Sequence, residues 1–305
     1  MKRVMITGAS GLIGKGVLTA VLDRSDWEIH VVASGRHAHH FSNKVHAHKA
    51  DLSDIRACEQ LMKNVSPDIM IHLAWSLDEH DYANSDSNLI WVENSLCLLR
   101  LFFGEGGQRF IFAGSASEYG ELGGRCLETR TDICRSVYGT SKKAFEMISQ
   151  NYCVSHKYEF VCARIFPVYG EGDSRCFKAI PAAINAFLNG EKFICKGPNN
   201  VWDYIHIEDA ANALIHIVDS GYCGIVNVGT GKPHLLRDVF TEVAKKMDCK
   251  ELLVFKDNTE NVTIQVADPN VLNNVIGYTC KVNFSEGLDR TISWWKSHEA
   301  IDKAE

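Results

Sequence analysis

The 305-residue chain has no C-x-x-C pair among its eleven cysteines, which are scattered from Cys58 to Cys280. Neither a zinc-ligand spacing nor a disulfide framework is expected, no metal site is assigned, and the cysteines read as small core residues in a reducing compartment. No uninterrupted apolar run reaches the length of a membrane-spanning helix. Basic residues are not in excess: 32 Lys and Arg stand against 38 Asp and Glu, whereas a nucleic-acid partner would show as a basic stripe. No internal repeat or low-complexity linker appears. A strand pattern begins by Arg3, leaving no room for a secretory leader. A cytoplasmic protein with neither membrane nor nucleic-acid partner is expected. Hydrophobic content of 46% and charge of 23% are ordinary for a globular chain able to hold one large or two modest domains.

Glycine is placed where it matters. The run Val4-Met5-Ile6-Thr7-Gly8-Ala9-Ser10-Gly11-Leu12-Ile13-Gly14 ends an apolar strand in three glycines, and a helical pattern (Leu12, Ile13, Val17, Leu18, Val21, Leu22) follows at once. Glycines allow a sharp turn and close approach of a ligand. The helix start behind them offers free N–H groups and a positive dipole to a pyrophosphate. The spacing is G-x-x-G-x-x-G, which meets the dinucleotide-binding fingerprint in context and not in letter.

A second signal lies downstream. Tyr138-Gly139-Thr140-Ser141-Lys142 heads a helical stretch and sets Tyr138 and Lys142 one turn apart on one face. An ammonium beside a phenol favours the phenolate, which makes the tyrosine usable as an acid or base. Shortly before it, the strand pattern Arg109-Phe110-Ile111-Phe112-Ala113-Gly114-Ser115 ends in a serine. Together these residues resemble the extended short-chain dehydrogenase/reductase family, the nucleotide-sugar epimerases, dehydratases and reductases.

The resemblance runs nearly end to end. It takes in Asp51-Leu52 after the third strand, Ile71-His72-Leu73-Ala74 at the fourth, and Asn94 at the opening of a long helix. Ala163-Arg164-Ile165-Phe166-Pro167-Val168-Tyr169-Gly170 is similar to the family's Arg-x-Phe-Asn-x-Tyr-Gly segment, with proline for asparagine. Trp202-Asp203-Tyr204-Ile205-His206-Ile207-Glu208-Asp209 is similar to Arg-Asp-Phe-x-His-x-x-Asp, with tryptophan for arginine. Asn227-Val228-Gly229-Thr230-Gly231 and Glu286-Gly287-Leu288 complete the match. The resemblance implies Ser115, Tyr138 and Lys142 as the catalytic set. It implies cofactor contacts at Gly8, Ser10, Gly11, Leu12, Ile13, Gly14, Asp51, Leu52, Leu73, Ala74, Asn94 and Phe166, with Tyr138 and Lys142. Substrate contacts are implied at Trp75, Ser115, Ser117, Pro167, Trp202 and Arg290, with Arg175 and Lys178 as further candidates for phosphate.

Cofactor choice turns on Val32-Ala33-Ser34-Gly35-Arg36, just past the second strand. No carboxylate stands at Ser34 to take the ribose hydroxyls, and Arg36 suits a 2′-phosphate, so NADP is expected, with NAD as the alternative. Dehydratases of the family carry Asp-Glu or Ser-Glu directly after the catalytic serine or threonine. Here Ala116 and Ser117 follow Ser115, and Glu118 on an extended segment would face away. Elimination of water is not expected, which leaves reduction of a 4-keto-6-deoxyhexose nucleotide by NADPH. The alternatives are 4-epimerisation with retained NAD, or reduction of a non-sugar carbonyl. Apolar surface on the helices with Asn94–Phe103 and Lys142–Tyr152 predicts a homodimer.

Strands are expected near Arg3–Thr7, Glu28–Ala33, Val45–Ala50, Asp68–Leu73, Arg109–Ala113 and Phe160–Arg164, alternating with helices. The fold class is therefore α/β, a doubly wound parallel Rossmann-type sheet over residues 1–168. A smaller substrate domain is expected over 169–305, with segments near 203–230 packing back. The histidine-rich stretch holding His37, His39, His40, His46 and His48 has no acidic or thiol ligand beside it and reads as a solvated connection.

Overall fold

The computed structural model describes residues 1–33, 41–77, 81–120, 123–256 and 262–302. The first half alternates strands and helices: β1 (Lys2–Thr7), α1 (Leu12–Val21), β2 (Trp27–Ala33), β3 (His46–Lys49), α2 (Ile55–Val65), β4 (Ile69–His72), α3 (Ser87–Gly104), β5 (Arg109–Ser115), β6 (Arg125–Cys126), α4 (Val137–His156) and β7 (Glu159–Ile165). Shorter pieces follow: β8 (Val168–Tyr169), α5 (Ala179–Leu188), β9 (Phe193–Lys196), β10 (Val201–Trp202), β11 (Ile205–His206), α6 (Ile207–Asp219), β12 (Gly224–Val228), β13 (His234–Leu235), α7 (Leu236–Lys246), β14 (Leu253–Lys256), β15 (Ile264–Ala267) and α8 (Phe284–Asp302).

Among the described residues a seven-stranded sheet has the order β12-β7-β5-β4-β1-β2-β3, with every pair parallel. The chain runs outward from β1 through β2 to β3, then returns to β4 on the other side of β1. That reversal opens a crevice at the carboxyl ends of β1 and β4, the place where such sheets bind ligands. Apart from the polar edge strand β3, the strands are largely apolar on both faces because helices cover both. Val4, Ile6, Val31 and Ile71 pack on the α1 and α6 side, while Met5, Met70, Phe110 and Phe112 pack on the α2, α3 and α4 side.

The six expected strands are all present in this sheet. Its seventh, β12, comes from the second half and pairs with β7 from Gly224↔Val161 to Val228↔Ile165. Conversely β6, from the first half, joins a four-stranded sheet in the order β13-β10-β15-β6. Buried Asp203 ties these pieces together by accepting hydrogen bonds from the backbone N–H groups of Thr230 (3.1 Å), Gly231 (2.7 Å) and Ala267 (3.2 Å). A third core, under α5, α7 and α8, includes Ile184, Phe187, Val239, Phe240 and Leu288.

Candidate active site

The chain leaves β1 at Gly8, whose φ is +69°. A Cβ there would lie 2.7 Å from the Ala74 backbone nitrogen and 2.8 Å from the Leu73 carbonyl carbon, so glycine lets the ends of β1 and β4 close on each other. A Cβ on Gly14 would collide with the Gly8 carbonyl and lie 2.6 Å from the Ala9 Cα. Gly11 caps α1; no side chain covers the first N–H groups and no acidic residue stands in the first turn, which begins with Leu12 and Ile13. Uncovered donors at the positive end of a helix fit a pyrophosphate. Below the turn, Thr7 Oγ1 is 2.7 Å from His72 Nδ1, and His72 Nε2 is 2.9 Å from Ser95 Oγ. Burial pulls His72 down to about 3, so a neutral imidazole braces β1, β4 and α3.

Other expected cofactor residues are placed unevenly. Ser10 lies in the turn and lines a cavity with Phe41 and Val45. Asp51 accepts the Ser53 N–H (2.9 Å) and hydroxyl (2.7 Å) in an exposed turn before α2, and Leu52 packs against the core beneath. Asn94 does not open its helix; it sits half-buried in the middle of α3, which starts at Ser87. That start carries no side-chain cap, and Asp86 before it is already helical, so no local signal marks it. Ser34 and Arg36 lie outside the described residues.

β5 ends at Ser115, and α4 begins with Ser136 Oγ accepting the Gly139 N–H at 3.0 Å. This cap fixes the first turn of α4 so that Tyr138 and Lys142 point to one side. Ser115 and Tyr138 line a common cavity of about 430 Å³, and their side chains hydrogen-bond each other. Lys142 lies behind it. Its Nζ donates to the Ala113 carbonyl at 2.8 Å and sits 3.9 Å from the Trp75 ring centroid, 4.5 Å from that of Phe112 and 5.9 Å from that of Tyr138. Burial pulls Lys142 down to about 7, the nearby Glu118 carboxylate opposing it. Burial pushes Tyr138 up to about 12, opposed by the Ser115 hydrogen bond. Without a cofactor, burial outweighs the charges beside the phenol, while Lys142 directs its contacts to a carbonyl and two other rings.

Ser117, Phe166, Pro167 and Trp202 line the same cavity, as do Arg175 and Lys178. Two expected substrate contacts do not. Trp75 donates its indole N–H to Asn88 Oδ1 at 2.9 Å, covers Lys142 with its face and stands edge-on to Tyr138, so it backs these two residues and does not wall the cavity. Arg290 is held by Glu171 Oε1 (2.7 Å) and Glu208 Oε2 (2.8 Å) at a different cavity beside α1. Tyr82, Phe177 and Tyr204 also wall the cavity and were not expected there. All three come from connections without periodicity, so no pattern marks them. Lys178 Nζ lies 4.3 Å from the Tyr82 ring centroid, and burial together with Arg175 pulls it down to about 8. The Arg175 guanidinium is engaged by both Asp173 oxygens, at 2.6 and 3.0 Å.

Glu118 is turned inward, for a reason other than the one expected. Residues Ala116–Tyr119 form a 3₁₀ turn capped by Ser115, not an extended segment. Within it, Glu118 Oε1 accepts the Ser115 N–H at 2.6 Å, while Oε2 meets Arg164 Nε at 3.1 Å. Arg164 also forks onto Glu146 at 2.8 and 3.0 Å. Glu118, Glu146 and Cys162 converge closely enough to ligate a metal, but the guanidinium already occupies the carboxylates.

A family model described as the NAD dependent epimerase/dehydratase family matches residues 4–229. The chain belongs to that family. Two solved structures similar to it are epimerases. The UDP-N-acetylglucosamine 4-epimerase of Methanobrevibacter ruminantium, in complex with UDP-N-acetylmuramic acid, is 25% identical, with TM-score 0.86 over 97% of this chain and 99% of that one. The Thermus thermophilus UDP-glucose 4-epimerase, in complex with NAD, is 26% identical, with TM-score 0.82 over 96% and 99%. The dTDP-glucose 4,6-dehydratase of Bacillus anthracis, in complex with NAD, shares the fold at 20% identity, with TM-score 0.84 over 98% of both chains. As a family member the chain is an NAD-dependent enzyme of the epimerase/dehydratase type. The fold alone does not separate epimerases from dehydratases, so the side chains must.

Proposed function

We propose that this enzyme is a nucleotide-sugar 4-epimerase working with NAD. The observation that carries the reading is the cavity in which Ser115 and Tyr138 face one space beside the uncovered head of α1. Support for NAD and for epimerisation comes from the two epimerases at 25 and 26% identity, one of them bound to NAD. A nicotinamide bound there would supply the hydride acceptor and donor that inversion at the sugar carbon requires. The Gly8–Gly14 turn would hold the pyrophosphate. Tyr138 passes the proton to and from the reacting oxygen, Ser115 hydrogen-bonds that oxygen, and Lys142 keeps positive charge near both. Trp202, Tyr204 and Phe177 offer apolar faces to a sugar or base, and Lys178 offers the cation for a phosphate. Elimination of water is not part of the proposal, since Ala116 and Ser117 carry no acid or base and Glu118 is locked onto Arg164.

A second reading, NADPH-dependent reduction of a 4-keto sugar nucleotide, is favoured by Ser34 and Arg36 in the sequence. Product analysis separates the two. Incubation with UDP-sugars and no added reductant should give a mixture of C4 epimers by NMR. Turnover only of keto sugars, and only with NADPH supplied, would replace the first reading by the second.

We also propose a homodimer through α3 and α4. Leu98, Leu99, Phe102 and Phe145 prove to be core residues, so the apolar surface is carried instead by Leu89, Ile90, Met147, Ile148 and Val154, each half or more exposed. Sedimentation at micromolar concentration should give twice the chain mass; a monomer would refute it.

A further inference from the structure

We propose that Glu28, His30 and His46 bind one divalent transition-metal ion at the edge of the central sheet, with His48 orienting His30. Edge strand β3 pairs with β2 in the register His30↔His46 and Val32↔His48. Side chains on alternate residues share a face, so Glu28, His30, His46 and His48 project to the same side. The rings lie nearly parallel: His30 and His46 centroids are 4.9 Å apart at 22°, and those of His30 and His48 are 5.2 Å apart at 19°.

The decisive atom is His30 Nε2. His30 is 6% exposed, and this nitrogen makes no hydrogen bond although Glu28 Oε1 lies 3.3 Å away. The same oxygen is 3.7 Å from His46 Nε2. Two donors bound to one tetrahedral zinc at its usual bond lengths stand about 3.4 Å apart. The carboxylate therefore already holds ligand spacing to both imidazoles; the two imidazole nitrogens do not yet converge with it, and the exposed His46 ring would turn to close the set. The other nitrogen of His30, Nδ1, is 2.9 Å from His48 Nε2. With Nδ1 donating to His48, Nε2 presents a lone pair toward a carboxylate oxygen, an arrangement that a cation relieves. A metal-bound histidine characteristically donates its second N–H to such a partner. Arg3, the register partner of Glu28 on β1, sends its guanidinium to the Val65 carbonyl at 2.6 Å.

Two imidazoles and a carboxylate, with a fourth position left to water, suit Zn²⁺, Co²⁺ or Ni²⁺ and not Mg²⁺. The sequence hides the site because its acidic ligand comes from β2, outside the histidine-rich stretch. His46 and His48 belong to a strand and not to a solvated connection, while His37, His39 and His40 lie outside the described residues.

The test is a Co²⁺ titration of tag-free protein, read by visible absorbance and by calorimetry. One equivalent should bind, and Zn²⁺ should displace it. His46→Ala and Glu28→Gln should each weaken binding at least tenfold, and His48→Ala by about 10- to 100-fold, the usual cost of losing an orienting partner. The combined His37→Ala, His39→Ala, His40→Ala variant should bind as wild type. His46 is solvent-exposed and Glu28 half-buried, neither of them in the core, so metal-free melting curves of their variants should lie close to wild type. Absence of binding to the wild-type protein overturns the proposal. So does binding that survives His46→Ala and Glu28→Gln but is lost in the triple variant.

Discussion

Two buried cations lie near Ser115, and the protein treats them differently. Arg164 is 1% exposed and Lys142 is 3% exposed. Removing an ion from water is costly unless opposite charge accompanies it; otherwise the group gives up its charge. Arg164 has two carboxylates, with Glu146 gripping it in a fork and Glu118 beside its Nε. Lys142 has a single carbonyl and the faces of Trp75 and Phe112. The guanidinium is therefore locked as a charge, while burial pulls the ammonium down to about 7. A fixed ion serves geometry: through Glu118 it reaches the Ser115 N–H and sets the end of β5. An ion held this loosely responds to whatever charge enters the cavity, and it stands one helical turn from Tyr138, the group proposed to move the proton.

The sharpest way to break this contrast is to remove the fixed ion. Arg164→Met keeps much of the volume but strands Glu118 and Glu146 inside the protein. Losing one partner of a buried charge cluster costs about 3–5 kcal/mol, which urea denaturation should register. Arg164→Lys should recover only part, since an ammonium cannot make the two-pronged contact. A loss below about 1 kcal/mol would mean that the cluster is not what holds β5 and the 3₁₀ turn.

The mobile side of the contrast is tested at Tyr138. Tyr138→Phe keeps the ring, its edge-on contact with Trp75 and the capped start of α4, and removes only the hydroxyl. Turnover should fall by roughly 100-fold or more, the scale of a lost general acid or base, which is about 2.7 kcal/mol of barrier. Dinucleotide binding and melting temperature should be unchanged. Near-normal turnover would show that another group passes the proton.

The same contrast explains what could be read in the sequence. The glycine turn, the serine closing β5 and the Tyr138/Lys142 pair were legible because each depends on local geometry: a strand end, a helix start, one turn of α4. Five of the six strands were legible for the same reason, as short apolar runs; the edge strand β3, His46–Lys49, is polar and mostly exposed. Three things were not. The inward turn of Glu118 depends on Arg164, whose strand is adjacent only in the folded sheet. The role of Trp75 as a cover for Lys142 depends on α4 packing over β4 and β5. The seventh strand, β12, joins the sheet beside β7 only after α6 has crossed back over it. Arg290 could have been a phosphate contact on charge alone, but Glu171 and Glu208 claim it. Spacing shows which residues one element brings together, and partners drawn from distant elements decide what those residues then do.

The smallest expected effect is a slope. In the folded protein without cofactor, burial brings Lys142 from its ordinary 10.5 to about 7. Between those values the unfolded chain binds a proton that the folded protein does not, so this residue makes stability rise with pH from about 7 toward 10. Below pH 7 the lysine is charged in both states and the burial penalty is present in full. Glu118 runs the opposite way: burial and its neighbour Glu146 push it up to about 8, so the folded protein holds the extra proton and stability falls as pH rises toward that value. A raw pH profile would mix the two. Comparing wild type with Lys142→Met reduces the mixing, because Glu118 is present in both proteins, although in the wild type its charge also acts on Lys142. Urea midpoints measured from pH 7 to 9 should show wild type gaining on the variant as pH rises. Parallel profiles would mean that Lys142 keeps an ordinary ammonium, and the distinction between the locked and the responsive cation would then fail at its second member.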